Sequence, residues 1–471
     1  MDGSARVAAA GARAFSRGAL RIRPAGVYVA AMQALGSLTK SASAGTDRPN
    51  TVGHSWVGEL LLRLLGAVLQ ILATLAIVRA LTPDEAGVFF RGFVIALGLS
   101  TLLRGKYEIY MAQHIIGRRA AATGIADGAV LMQLARRMLL RSSLLCAVLL
   151  VVTADLDIQA PQLQTVLQTY FPFVLALPCV SVSSFFGEAL RAANRTLGIV
   201  VTAYAVNVSL LVAVAVAPPD ASLAFYSWAF FFGSLAAAGM ALVLAHRAFP
   251  ATRAERLRPL SREALQAVDS REFIGLARGV LHWGPLCVLA VWAPPLQMAQ
   301  YAVAARTALI VDYFLPALNL TGCRETLMAG RPACASRRLL VGELARALVY
   351  STVLVLPLFL LAPEILRIYG IPYDTQFVVY ALLLGVQWAN GVGRPAVRHA
   401  VVEWDARRIG IALGSGAIAV VLICALGVAS YGALAAAAAS LIGALIVNAR
   451  AITLALNRWQ TAQSQTASPS S

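Results

Sequence analysis

Charge is scarce in this chain, and lysine is scarcer still. Asp, Glu, Lys and Arg make up only 13% of the 471 residues, about half the share of an ordinary soluble domain. Lys40 and Lys106 are the only lysines, so the other 37 basic residues are arginines. They are scattered through short connections and not gathered on one domain. The formal charge of +17 is therefore no nucleic-acid footprint, and no nucleic-acid partner is expected. Cysteine is equally sparing: six residues, isolated, with no CxxC, beside five dispersed histidines. That pattern argues against a disulfide framework or a zinc site, and no metal or bound cofactor is expected. The cysteines read as small buried hydrophobes.

What the chain has instead is apolar length. Hydrophobic residues make up 59%, the mean hydropathy is +0.73, and long apolar runs recur from residue 57 to residue 456. One large soluble core is excluded; an all-α polytopic membrane protein is expected. Runs of roughly 18 residues or more predict about twelve transmembrane helices. The first six cover 57–78, 86–112, 137–154, 166–188, 196–217 and 223–245. The second six cover 274–293, 301–328, 341–362, 375–394, 407–427 and 431–456.

Arginine placement tests that count. With the N-terminus inside, the inward connections hold nineteen arginines, among them Arg191 and Arg394, and the outward ones hold Arg79 and Arg367. A span missed or invented early would swap every later loop. Both termini are thus expected on the cytoplasmic side of a bacterial inner membrane. The organisation expected is a flexible basic cytoplasmic arm (1–55), a first six-helix lobe (56–245), a basic cytoplasmic linker (246–273), a second lobe (274–458) and a flexible tail (459–471). The arm, whose only acids through residue 50 are Asp2 and Asp47, would read the same as a transit peptide or a misassigned start.

The two halves echo one another. IVRALTPDEAGVFFRGF joins spans one and two and carries Arg91; AVWAPPLQMAQYAVAARTAL joins spans seven and eight and carries Arg306. Duplication about a central site is a common transporter design. Outward connections are short, which leaves little room for an extracytoplasmic catalytic domain, and no enzymatic activity is expected.

The intramembrane charges are the candidate site: Glu59 and Arg63 in span one, Arg91 in span two, Arg278 and His282 in span seven, Arg306 and Asp312 in span eight. A mid-span arginine costs about 2.5–3.5 kcal/mol on insertion scales, so these side chains must snorkel, pair or line water. Glu59/Arg63 and Arg278/His282 are each four residues apart and share a helix face. Asp312 lies six residues beyond Arg306, about 240° around a continuous helix, so the two are not expected to pair directly. Arg104/Glu108 and Arg324/Glu325 read as interfacial anchors. The in-helix prolines Pro172, Pro178 and Pro316 read as kinks.

Four stretches, RALTPDEAGVF (79–89), YAVAARTALIVDYFLPALN (301–319), APEILRIYGIPYD (362–374) and YGALAAAAASLIGALIVNA (431–449), resemble the polysaccharide-transporter branch of the multidrug/oligosaccharidyl-lipid/polysaccharide flippase superfamily. The resemblance implies two pseudo-symmetric six-helix lobes around a central cavity that opens alternately to each face. It implies a substrate of lipid (undecaprenyl)-pyrophosphate-linked oligosaccharide, moved to the outer leaflet for envelope, lipopolysaccharide or exopolysaccharide synthesis. Arginines suit pyrophosphate through planar, charge-assisted hydrogen bonds. Arg63, Arg91, Arg278 and Arg306 are therefore the expected ligands, with Glu59, His282 and Asp312 as charge-pairing or coupling groups. A coupling ion, H+ or Na+, is a further expectation. Membrane lipids and a polysaccharide synthesis complex are the expected partners. The competing readings are a drug/cation exporter of the same superfamily, an outer-face polysaccharide polymerase or ligase, and a non-transporting scaffold.

Overall fold

The computed structural model describes residues 52–120, 127–159, 164–193, 204–218, 221–250, 260–318, 337–371, 373–403 and 406–466. Every regular element among them is a helix. Residues Met1–Ser55 and Trp56–Ser471 form separate units, and the architecture below is that of the second. The expected arm through residue 51 and the end of the tail from 467 lie outside the described residues.

The helices are α1 (Val52–Ala80), α2 (Pro83–Ala120), α3 (Asp127–Gln159), α4 (Gln164–Ala192), α5 (Ala205–Val216), α6 (Leu223–Ala248), α7 (Arg262–Asp269) and α8 (Glu272–Trp292). They continue as α9 (Pro295–Ala308), α10 (Ile310–Leu318), α11 (Arg337–Leu360), α12 (Ala362–Ile368), α13 (Tyr373–Glu403), α14 (Ala406–Tyr431) and α15 (Ala433–Thr466). Each of the twelve expected spans falls, over its described residues, on one of these elements or a consecutive pair; 196–203 of the fifth and 319–328 of the eighth lie outside the described residues. Eight helices of the described residues are long and apolar enough to cross a membrane by length and composition. The other four spans fall on α3, the short α5, the broken pair α9–α10 and the polar-flecked α13.

Helices α2 to α6 pack on one another, as do α8 and α11 to α15, giving two lobes, with α9 packed on both α2 and α13. Side chains such as Leu61, Phe232, Val353, Ile418 and Leu426 are exposed on the outside, as a lipid-facing surface requires. The first core is aromatic: Phe173 packs edge-on against Phe89, with ring centroids 5.4 Å apart, and against Phe230 at 5.1 Å.

The lobes meet along α2. It runs antiparallel to α8, with Gly87 against the Pro295 carbonyl, Gly98 against Cys287 and Gly105 against the backbone of Gly275. Glycine permits that approach: a Cβ at 87 would overlap the Pro295 backbone, one at 98 would press on the Cys287 sulfur, and one at 105 would be tight against Gly275. The start of α2 explains the sequence TPDE. Thr82 and Glu85 form a reciprocal capping box, the Thr82 N–H donating to Glu85 Oε2 at 3.0 Å, with Pro83 at the first helical position. Gly370, at φ +71°, closes α12: its N–H reaches the Arg367 carbonyl and that of Ile371 reaches Leu366, a Schellman-type end.

Three expectations are corrected by local structure. The eighth span is not one continuous helix, since Leu309 separates α9 from α10. The six-and-six linker contains the helix α7, capped by the Ser261 hydroxyl, which accepts from Ala264 N–H at 3.2 Å. Arg394, expected in an inward connection, is inside α13.

Candidate functional site

The charges of the membrane interior fall into two groups. The face at which α7 and the start of α8 lie is called the linker face below. One group lies at the lobe seam, away from that face, and the other lies toward it.

Arg91 and Arg306 belong to the seam. Arg91, half-buried on α2, donates from Nη2 to the carbonyl of Ala293 at 2.7 Å, fastening α2 to the end of α8. Nearby, Arg79 donates to the carbonyl of Ile368 at 3.2 Å. Arg306 places its guanidinium 4.6 Å from the ring centroid of Phe93 and donates to Asn207 Oδ1 at 3.2 Å, both in the other lobe. Its backbone carbonyl accepts from Gln70 Nε2 at 3.1 Å, and Gln70 Oε1 accepts from the Tyr313 hydroxyl at 2.8 Å. Gln70 thus ties α1 to α9 and α10 through one amide.

Arg63, Arg278, His282 and Asp312 belong to the second group. Arg278 and His282 are exposed on α8, which packs against α2, α14 and α15, so both border a solvent-reachable space beside those helices. Arg63 on α1 is half-buried and acts electrostatically on Glu188 and Tyr313. His282 is within electrostatic reach of Asp312, Arg278 and Arg104. Asp312 forms an ion pair with Arg394 from α13, the partner that helix geometry had denied it in Arg306. Glu59 lies in α1, but its side chain is outside the described residues, as are Arg324, Glu325 and the side chain of Pro316.

The structure adds five charged groups to those picked from sequence. Arg104 and Glu108 form an ion pair at 3.0 Å with side chains only 14% and 7% exposed, so the pair is buried within the protein. Glu188 and Arg191 pair at 2.5 Å one turn apart on α4. Arg394 is the fifth. Glu108 and Glu188 both feel the charges of Arg104, Arg191 and Arg278, which brings α2, α4 and α8 to one place. Arg278 itself makes no hydrogen bond or ion pair among the described residues. An acid in the otherwise apolar FFGEAL, one turn before an arginine, was the available signal for Glu188.

Arginines at 63, 104, 191, 278 and 394 thus share this space with carboxylates at 108, 188 and 312. Among the described residues cations exceed anions by two, and planar guanidinium groups are suited to a phosphate or pyrophosphate. Among the described residues no group of three or more His, Cys, Asp or Glu side chains is placed to hold a metal ion.

No protein-family model matches the sequence, and no curated protein does. Solved structures do match the fold. A MATE transporter in complex with MaD3S superposes at a TM-score of 0.59, with 14% identity over 87% of this chain and 96% of that one. The outward-facing form of a multidrug resistance MATE family transporter of the MOP superfamily gives 0.59 at 13% identity, with the same coverage. The lipid II flippase MurJ, in an inward closed conformation, gives 0.59 at 10% identity over 88% of this chain and 94% of that one. With an all-helical polytopic bundle, a lobe seam on α2 and a charged interior, the chain has the fold of the MATE and MurJ transporters of the MOP superfamily.

Proposed function

We propose that this chain is a flippase for an anionic lipid: a lipid-pyrophosphate-linked oligosaccharide carried across a bacterial inner membrane by alternating access. The observation that carries the reading is the convergence of Arg63, Arg104, Arg191, Arg278 and Arg394 on one interior space. A pyrophosphate diester brings about two negative charges into a low-dielectric layer, and guanidinium groups bind it through charge-assisted hydrogen bonds. In this reading Arg278, which has no ion pair among the described residues, is the first contact, the sugars stay in the polar space and the lipid tail remains in the bilayer. The N- and C-termini lie on the cytoplasmic side, and a coupling ion, H+ or Na+, supplies the return stroke.

The drug/cation exporter of the same superfamily fits this interior less well. Glu108, Glu188 and Asp312 each already face an arginine, so an incoming cation would have to displace one. The test is transport of an undecaprenyl-pyrophosphate oligosaccharide in reconstituted vesicles. Arg278→Ala and Arg63→Ala are expected to lower the rate at least tenfold, the loss of one charged hydrogen bond at about 1.5–3 kcal/mol. Wild-type rates in both variants would overturn the assignment.

A further inference from the structure

The acids are as informative as the arginines. On α2, Glu108 accepts from Arg104 Nη1 at 3.0 Å, and Arg104 Nη2 is held by Thr101 Oγ1, also at 3.0 Å. On α4, Glu188 faces Arg191 at 2.5 Å. Both carboxylates lie within reach of Arg278, which enters from α8, and Glu188 is also within reach of Arg63 on α1. Three arginines (104, 191, 278) therefore stand against two carboxylates. Among the described residues the locality is net positive even before Arg63 is counted, and of these three arginines only Arg278 makes no ion pair there.

An anion entering such a site meets competitors already in place. A single negative charge is served by Arg278 with both ion pairs intact. A pyrophosphate has charge left over, and it must draw Arg104 and Arg191 from carboxylates that also repel it.

We propose that Glu108 and Glu188 are internal competitors of the substrate, holding Arg104 and Arg191 between transport events and setting how readily a bound pyrophosphate leaves. The proposal rests on the anion-binding reading and adds a release function to that same site. Without the two acids the arginines would bind pyrophosphate tightly and surrender it slowly. With them, an ion pair reforms as the anion departs, so the site never faces a bare guanidinium cluster. This is a specificity device as well. The energy of a ligand in a fixed potential scales with its charge, so the acids weigh more heavily on a pyrophosphate than on a monophosphate.

The test compares binding of farnesyl pyrophosphate and farnesyl monophosphate to the full chain in detergent at fixed pH and salt. The chains compared are wild type, Glu108→Gln, Glu188→Gln and Arg278→Ala. Each glutamine variant is expected to bind the pyrophosphate about tenfold tighter, to gain less for the monophosphate, and to turn over more slowly in vesicles. Glu188→Asp, which keeps the charge, is expected to show neither gain, and thermal unfolding of each variant identifies the ones that fold as wild type does. Unchanged or weaker pyrophosphate affinity in a folded glutamine variant, or an equal gain for both ligands, overturns the proposal and leaves the anion site standing. Absence of pyrophosphate binding to wild type, or binding indifferent to Arg278→Ala, overturns the anion reading itself and the proposal with it.

Discussion

Arg91 reaches across the lobe seam to the carbonyl of Ala293, 2.7 Å away and 202 residues later in the chain. The acceptor is a backbone oxygen at the end of α8, so no change at position 293 could remove it; only Arg91 can be tested. Arg91→Ala is expected to destabilise the protein by about 1.5–3 kcal/mol, the worth of a hydrogen bond to a charged group. A cysteine placed at buried Ala293 should then label faster with a water-soluble maleimide than it does beside Arg91. Equal labelling rates would show that the contact does not hold the seam shut.

Gly87 and Gly239 make a matched pair. A methyl group at 87 would run into the Pro295 backbone, whereas nothing lies within 4 Å of one at 239. Gly87→Ala is expected to cost about 1–3 kcal/mol through overpacking, or more if the backbone cannot yield. Gly239→Ala, in mid-helix, is expected to stabilise by about 0.5–1 kcal/mol. Thermal unfolding in one detergent reads both, and a costly Gly239→Ala would contradict the packing described.

Asp312 and Arg394 join α10 to α13, with side chains 43% and 24% exposed. That exposure places the pair between a surface salt bridge and a buried one. A double-mutant cycle of Asp312→Asn and Arg394→Gln is expected to give a coupling energy of about 0.5–3 kcal/mol. Additivity of the two substitutions would mean that the contact carries no energy of its own.

Lys106 gives an asymmetric prediction. Its side chain is 4% exposed and bonds to Asp269 at 2.8 Å and Glu272 at 3.0 Å, while those acids are 65% and 51% exposed. Lys106→Met keeps the packing and lets both carboxylates return to water, so it should change stability by less than about 1 kcal/mol. The double change Asp269→Asn, Glu272→Gln leaves the buried ammonium without its counter-charges and is expected to cost about 3–5 kcal/mol. Chemical or thermal unfolding of the two variants checks the ordering.

How much of this could be read from the residues differs between fold and site. Apolar run length located the eight helices long and apolar enough to cross a membrane, and the remaining expected runs fall on shorter, broken or more polar helices over their described residues. Which charges meet was far less legible. Arg104, Glu108, Glu188, Arg191 and Arg394 lie near the ends of apolar runs, where hydropathy assigns a charge to the interface or a loop. Their helices continue past those limits, through Ala120, Ala192 and Glu403, and fold the charges inward. Arg91 and Arg306 stood out because they sit well inside apolar segments. Their partners, a carbonyl and an amide in the opposite lobe, leave no trace in local sequence. The break at Leu309 likewise has no proline or glycine to announce it.

The glycine contacts along α2 have a mechanical consequence. Gly87 meets the Pro295 backbone just past α8, Gly98 meets the Cys287 thiol and Gly105 meets the Gly275 backbone, three close approaches spaced along α2. Sliding or parting there would forfeit every one of those close contacts together. Tilting about the line of contact keeps them. Any opening between the two groups of helices would therefore pivot about this line, as a book does about its spine.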